Sequence, residues 1–183
     1  MRALIISFVV VSFFAQMQAN AEESAQDIVS EIERVSIIWQ DYRSFNDVKP
    51  VNQGRTKFAK HVFKELSDYF AQLASELPDG QRFEITVTDL DLAGQVFPAS
   101  FVGLGSGGQD VRLVKDVHIP RMDLSWRILD ANGVQIKAAE DSIKDMSFNQ
   151  RHNPFFSHEF LRYEKNMLRS WFKRNIAEDI AQN

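Results

Sequence analysis

The sequence predicts an α+β fold, in which a single two-layer domain has two helices packed on one face of a mostly antiparallel sheet, in the order β-α-β-β-β-β-α. Three observations support this prediction. Residues 83–87 and 122–128 alternate apolar and polar side chains, as half-buried strands do. Residues 55–77 and 158–176 repeat apolar side chains at helical spacing. The length of the chain suits one ordinary domain, which we assign to residues 34–180.

The first 21 residues are typical of a secretory signal peptide. Arg2 gives a positive start, an apolar run follows, and Ala19 and Ala21 are small residues at the two positions that signal peptidase recognises. The apolar run has about 13 residues, whereas a membrane-spanning helix needs ~20. We therefore expect cleavage after Ala21, export to the periplasm, and no membrane anchor in the mature form.

Composition excludes several classes of function. The chain has no cysteine, so disulfides, thiol catalysis, thiolate metal sites and lipid anchoring through cysteine are excluded. Its formal net charge is −4 at pH 7, and removal of Arg2 with the signal makes the mature chain more negative. That balance disfavours a general attraction to nucleic acid. These features predict a soluble exported protein without a nucleic-acid partner.

The N-terminal part of the mature chain is predicted to hold a tether, a strand and a helix. Residues 22–33 are acidic and have too few helical turns to stand alone, so we assign them to an N-terminal tether. Residues 34–40, RVSIIWQ, are rich in β-branched side chains and predict a strand. Residues 55–77 predict a helix whose apolar stripe packs on the core: Phe58, Val62, Leu66, Tyr69, Phe70, Leu73 and Leu77.

Residues 83–94, FEITVTDLDLAG, predict the central strand and its end. Phe83, Ile85 and Val87 alternate with polar residues. Continued alternation would bury Asp89 and Asp91, which is costly unless each carboxylate has a partner. We therefore expect either a bulge that shifts the register here or a strand that has already passed the edge of the sheet.

The middle of the chain is predicted to be a loop followed by extended structure. Residues 95–110 contain three glycines in G-x-G-x-x-G spacing, at 103, 105 and 108, but they lead into a strand pattern, whereas a dinucleotide site requires a helix there. We expect a flexible loop that can serve as a lid or a partner contact. Residues 111–129 would span ~60 Å as one straight strand, so we expect them to bend or split at Pro120.

The C-terminal part is predicted to form a hairpin and a helix. Residues 130–133, DANG, predict a turn, and residues 134–143 predict the return strand at an outward or edge position. Ser157 is a candidate N-cap for the last helix. The apolar face of that helix is Phe160, Tyr163, Met167, Leu168, Trp171, Phe172 and Ile176.

The candidate polar cluster consists of Asp89, Asp91, Asp123, Arg112 and Arg121. The three aspartates are suited to a hard cation, and the arginines to an anion or to carboxylates within the protein, which is the interpretation we favour. The histidines lack zinc-type spacing and no nucleophile elbow is present. We therefore expect no metal and no cofactor, and we assign no catalytic residue.

Five separate strings resemble a known family in order and spacing: TKFAKHVFKELSDYF, LPDGQRFEITVTDLDLAG, DVRLVKDVHIPRMDLSWRILDANG, KDMSFN and LRYEKNMLRSWF. The family is a bacterial one catalogued as a domain of unknown function, number 3016, and the resemblance covers about residues 35–172. It implies an exported protein of Gram-negative bacteria, soluble in the periplasm. It implies no catalytic residue and no cofactor.

Two functions of different classes remain. We favour a non-enzymatic binding or accessory protein whose partner is a periplasmic protein or a small ligand, bound at an exposed edge strand or at the 95–110 loop. The alternative is a metal-dependent hydrolase that uses Asp89, Asp91 and Asp123. The two hypotheses differ in whether these acids and the arginines converge on one concave site.

Overall fold

A computed structural model of the protein describes residues 27–105, 107–155 and 157–177. Its strands are β1 (Ile28–Ile32), β2 (Val35–Trp39), β3 (Arg82–Asp91), β4 (Gln95–Phe97), β5 (Val111–Leu113), β6 (Arg121–Leu129) and β7 (Gln135–Lys144). Its helices are α1 (Arg55–Ala74) and α2 (Arg162–Phe172), with a 3-10 turn at Ala99–Val102 and a π-helical turn at Lys173–Ala177. The predicted signal peptide, residues 1–21, lies outside the described residues.

The main sheet has five strands in the order β1-β2-β3-β6-β7, and β4 and β5 form a separate two-stranded sheet. Only β2 and β3 pair in parallel within the main sheet, because α1 carries the chain back between them. The other three pairs are antiparallel. The predicted α+β class, with two helices on one face of a mostly antiparallel sheet, is therefore confirmed.

The helix-facing side of the sheet forms the core. Alternate residues of β2, β3 and β6 are buried in one cluster with the apolar faces of α1 and α2. Phe83 is fully buried at its centre, with ring centroids 6.0 Å from Trp126, 6.2 Å from Phe172 and 6.5 Å from both Phe70 and Trp171. Edge-to-face and stacked contacts of this kind hold both helices against the strands.

Asp141 of β7 joins α2 to the sheet through a shared carboxylate oxygen. Its Oδ2 accepts hydrogen bonds from the indole N–H of Trp126, at 2.8 Å, and of Trp171, at 2.9 Å. Both indoles would otherwise lose a hydrogen-bond partner on burial. A carboxylate therefore occupies the inner side of an edge strand because two tryptophan donors meet there.

A bulge in β3 turns its two aspartates away from the core. Val87 is paired with Leu124, but the next pair is Asp89 with Asp123, so the register shifts at Thr88. As a result Leu90 takes the core position, and Asp89 and Asp91 are half-buried on the opposite face. Of the two arrangements expected from the sequence, the structure has the bulge.

The extended region before the hairpin splits. β5 and β6 belong to different sheets, and residues 114–120 connect them, ending at Pro120. The hairpin turn follows the expected geometry, since Gly133 has φ of 81° and Asp130 Oδ1 accepts hydrogen bonds from the main-chain N–H groups of Asn132 and Val134.

Three details differ from the sequence-based expectations. The tether assigned to residues 22–33 is wrong where the structure describes it, because Ile28–Ile32 form β1 and pair with β2. The 95–110 segment is not a plain loop, since it contains β4 and the 3-10 turn. The predicted strand order therefore lacked two strands, β1 and β4. Ser157 is not the N-cap of α2, which starts at Arg162 after Leu161 in a left-handed conformation.

Within the described ranges, no helix is long and apolar enough to cross a membrane.

Candidate functional site

Arg112 of β5 binds two segments at the end of β3, the loop after β2 and the turn after β3. Its Nη1 donates to Asp47 Oδ2 at 2.9 Å and to the carbonyl oxygens of Gly94, at 3.0 Å, and Ala93, at 3.4 Å. Its Nη2 donates to the carbonyl oxygen of Lys49 at 2.9 Å. The guanidinium group therefore fastens the loop after β2, the turn after β3 and the β4-β5 sheet to one another.

Gly94 lets the turn after β3 approach β5. Its φ is +80°, and a Cβ atom at this position would lie 2.7 Å from the carbonyl oxygen of Leu113. Its main-chain N–H donates to the carbonyl oxygen of His118 at 2.9 Å. Both the positive φ and the close approach require a residue without a side chain.

Three carboxylates surround this arginine. Asp47 is nearly buried and forms an isolated parallel bridge with Asp91 at the end of β3. Its Oδ1 is buried and has no hydrogen-bond partner among the described residues. Glu164 of α2 is 2 % exposed, and its Oε1 accepts a hydrogen bond from the main-chain N–H of Ala93 at 2.7 Å.

Burial governs the protonation of two of these carboxylates. Burial raises the pKa of Asp91, the neighbouring Asp47 carboxylate raises it further, and Arg121 opposes the rise. Burial also raises the pKa of Glu164, against the effects of the Ala93 N–H and of Arg112. Asp91 and Glu164 therefore stay protonated to higher pH than ordinary surface carboxylates do.

The five residues predicted to form a polar cluster lie near one another at the end of β3 and the start of β6, but they have different partners. Asp91 and Arg112 belong to the network just described, and Arg121 is paired with Asp91 across β3 and β6. Asp89 accepts hydrogen bonds from the main-chain N–H groups of Asn46 and Leu90, both at 2.9 Å. Asp123 lies opposite Asp89 and lines a different hollow, between β6 and β7.

The three aspartates do not assemble a metal site in the part of the chain that the structure describes. No group of three or more histidine, aspartate or glutamate side chains there could hold a metal ion. Arg112 lies within 2.9 Å of Asp47, which further disfavours a cation at the end of β3. The geometry therefore gives the hydrolase hypothesis no support.

Sequence reasoning missed Asp47 and Glu164 as members of the network. Asp47 lies in a loop without periodicity, and its partner Arg112 is 65 residues away, so no local pattern connects them. Glu164 did leave a signal. It lies four residues before Leu168 and seven before Trp171, which places an acid on the apolar stripe of α2.

Replacing Glu164 by glutamine is expected to stabilise the protein at alkaline pH. The pKa of Glu164 is raised in the folded state, so its protonation stabilises the folded wild type. This stabilisation is fully present below the unfolded-state pKa, about 4.3, and is lost as pH rises through the folded-state pKa. Glutamine keeps an acceptor for the Ala93 N–H and does not ionise. We expect Glu164→Gln to have the higher urea midpoint at pH 8, with the difference shrinking below pH ~4.

The matched control for this prediction is Glu76→Gln, because Glu76 is exposed. That variant should follow the wild type across the same pH range. A Glu164→Gln protein that is no more stable than the wild type at pH 8 would contradict the effect assigned to the buried charge.

An apolar arm projects beyond the end of β3. We define it as residues 95–118, of which the structure describes all but Ser106. Three of its large apolar side chains are mostly exposed: Phe101 by 77 %, Val117 by 75 % and Leu104 by 58 %. Phe101 stacks on Phe97 with ring centroids 5.7 Å apart, and the Lys115 ammonium lies 5.6 Å from the Phe97 ring centroid. The arm thus presents an aromatic pair and apolar neighbours to solvent.

The side of the main sheet that faces away from the helices is the second open surface, called the outer face below. Pairing and burial place on it six acids, Glu31, Glu84, Asp89, Asp91, Asp123 and Glu140, and four bases, Arg82, Arg121, Arg127 and Lys144. A hollow of about 530 Å³ on this face is lined by side chains that include Ser36, Thr86, Ser125, Ala138 and Glu140. Small and acidic residues therefore dominate the outer face.

Comparison with known proteins finds a family but no characterised relative. A family model described as "Protein of unknown function (DUF3016)" matches residues 33–174. No curated protein and no solved structure matches this chain.

Proposed function

We propose a function for this chain, which belongs to the DUF3016 family of proteins of unknown function. It is an exported, non-enzymatic binding or accessory protein of the periplasm in Gram-negative bacteria. The apolar arm is its contact with a protein partner. Export is supported by residues 1–21, which have the charge, apolar run and small-residue site of a cleaved signal. The polypeptide after Ala21 is the mature form in this proposal.

The observation that carries the proposal is the exposure of the apolar arm. Exposed groups of large apolar side chains mark interaction sites on soluble proteins, and aromatic anchors contribute much of the binding energy at protein interfaces. Phe101 stands 77 % exposed above Phe97, and Leu104 and Val117 are exposed on the same arm. A partner would remove these side chains from water.

The charged network at the base of the arm supports a structural role over a catalytic one. Arg112 donates to Asp47 and to three carbonyl oxygens, so its donors are directed at the protein itself. These bonds hold β5 against the end of β3, and β5 is one of the two strands from which the arm is built. The network therefore sets the orientation of the binding surface.

A periplasmic pull-down with two matched variants tests the proposal. The arm variant carries Phe101→Ser, Leu104→Ser and Val117→Ser, and the control carries Val29→Ser, Val134→Ser and Ile136→Ser, which are exposed apolar residues elsewhere. We expect the wild type and the control to recover the same partner and the arm variant to recover about tenfold less, which corresponds to a loss of 1.4 kcal/mol.

Equal recovery by the arm variant and the control would reject the arm as the contact. Cell fractionation tests the location separately: the intact chain should appear in the periplasm, and a chain that starts at Glu22 after an initiator methionine should stay in the cytoplasm.

A further inference from the structure

Like charges lie opposite one another on the outer face. Asp89 and Asp123 are direct partners across β3 and β6, where the Cβ atoms of facing residues are ~5 Å apart and like charges destabilise the sheet. Asp89 is stabilised by the N–H groups of Asn46 and Leu90. Among the described residues, the Asp123 carboxylate has no hydrogen bond or ion pair. A site that keeps a costly pair of this kind is suited to a positively charged partner.

The uncompensated charge continues onto β7. Glu140 is paired with Ser125 and belongs to the same face as Asp123, one diagonal step away, ~7 Å between Cβ atoms. Asp123 and Glu140 line one hollow of about 460 Å³, together with Thr88, Ser125 and Ser142. No described side chain donates to Glu140. Two carboxylates therefore face a polar hollow without an internal partner.

This hollow continues into a second one along the sheet. The second hollow, of about 530 Å³, shares Ser125 and Glu140 with the first and extends to Ser36 on β2. Serine, threonine and alanine side chains line it on neighbouring strands, and the ion pair of Glu84 with Arg127 lies among them. The two hollows together form a shallow groove across β2, β3, β6 and β7, with room for a main chain above the sheet.

We propose that this groove binds an extended, basic segment of a partner protein, whose lysine or arginine side chains pair with Asp123 and Glu140. The charge of the surface selects the partner, because the outer face carries six acids and four bases and, among the described residues, the carboxylates of Asp123 and Glu140 have no ion pair. The length of the groove favours a segment over a compact cation, since alternate side chains of an extended chain lie ~7 Å apart, which matches the separation of the two acids. This inference does not rest on the apolar arm.

The experiment is fluorescence anisotropy of the mature protein with a labelled peptide that alternates lysine and serine. We expect binding that weakens as salt rises and that falls about tenfold in the double variant Asp123→Asn/Glu140→Gln, through the loss of two charge pairs of about 0.7 kcal/mol each. The control, Glu33→Gln/Glu76→Gln, removes the same charge at exposed positions off the outer face. It should bind like the wild type.

Three results would overturn the proposal. The control double variant could lose as much affinity as the Asp123→Asn/Glu140→Gln variant, which would indicate that binding depends only on the net charge of the protein. Spermidine could compete as well as the unlabelled peptide does, which would indicate a site for any compact cation. The peptide could fail to bind the wild type at low salt. The arm variant should retain peptide binding, which separates this proposal from the function proposed above.

Discussion

Replacing Arg112 by alanine is expected to lower the free energy of unfolding by about 3–5 kcal/mol, the range for breaking a buried ion pair from one side. The substitution removes the guanidinium group from Asp47 and leaves three carbonyl oxygens without their donor. The Asp47 side chain is only 12 % exposed, so its charge would remain buried without compensation. Urea unfolding followed by circular dichroism measures the loss.

Two variants show whether the effect comes from the buried charge. Arg127→Ala removes an ion pair with Glu84 in which the arginine is 54 % exposed, and it should cost less than about 1 kcal/mol. Adding Asp47→Asn to Arg112→Ala should restore part of the stability, because it removes the orphaned charge. A similar cost for Arg112→Ala and Arg127→Ala would contradict the structural role given to Arg112.

Replacing Phe83 by alanine is expected to cost about 3–5 kcal/mol, as large-to-small changes of buried aromatic residues do. Phe83 has no exposed surface and contacts the rings of Trp126, Trp171 and Phe172. Its removal leaves a cavity between the sheet and both helices, which rigid neighbours fill only in part. Thermal and urea unfolding should both report the loss.

Phe101→Ala is the matched control, because the same side chain is lost from a position that is 77 % exposed. Its effect on stability should stay within about 0.5 kcal/mol. Equal effects at the two positions would contradict the packing described for the core.

The parts of the fold that were predictable are those in which a local pattern determines burial. β3 and β6 alternate clearly, and the α1 stripe from Phe58 to Leu77 is buried as expected. β1 escaped prediction because a five-residue edge strand owes its structure to pairing with β2, which a local pattern does not contain. β4 and β5 have three residues each, and the contacts of Gly94 and Arg112 hold them in place.

Only part of the candidate site was predictable from the sequence, namely the features that follow from the cost of burying a charged side chain without a partner. The bulge before Asp89 is one of the two arrangements expected from the cost of burying a carboxylate, and the internal pairing favoured for the arginines is provided for Arg112 by Asp47. The choice of Asp47 as that partner depends on how the loop after β2 folds against β3, which only the structure gives. The predicted cluster placed Asp123 beside Asp89, and the two residues are cross-strand partners. Asp123 also lines a hollow formed with residues of β7, which the sequence did not indicate.

Site-specific photo-crosslinking in living cells tests the central claim, that the apolar arm is the contact with a periplasmic partner. A photoreactive phenylalanine analogue is placed at Phe101 or at Asp79, which is exposed and precedes β3 at the end opposite the arm, ~30 Å away by the length of the strand. We predict a discrete crosslinked protein in the periplasmic fraction from position 101 and none from position 79. Equal labelling from both positions, or none from position 101, would contradict it.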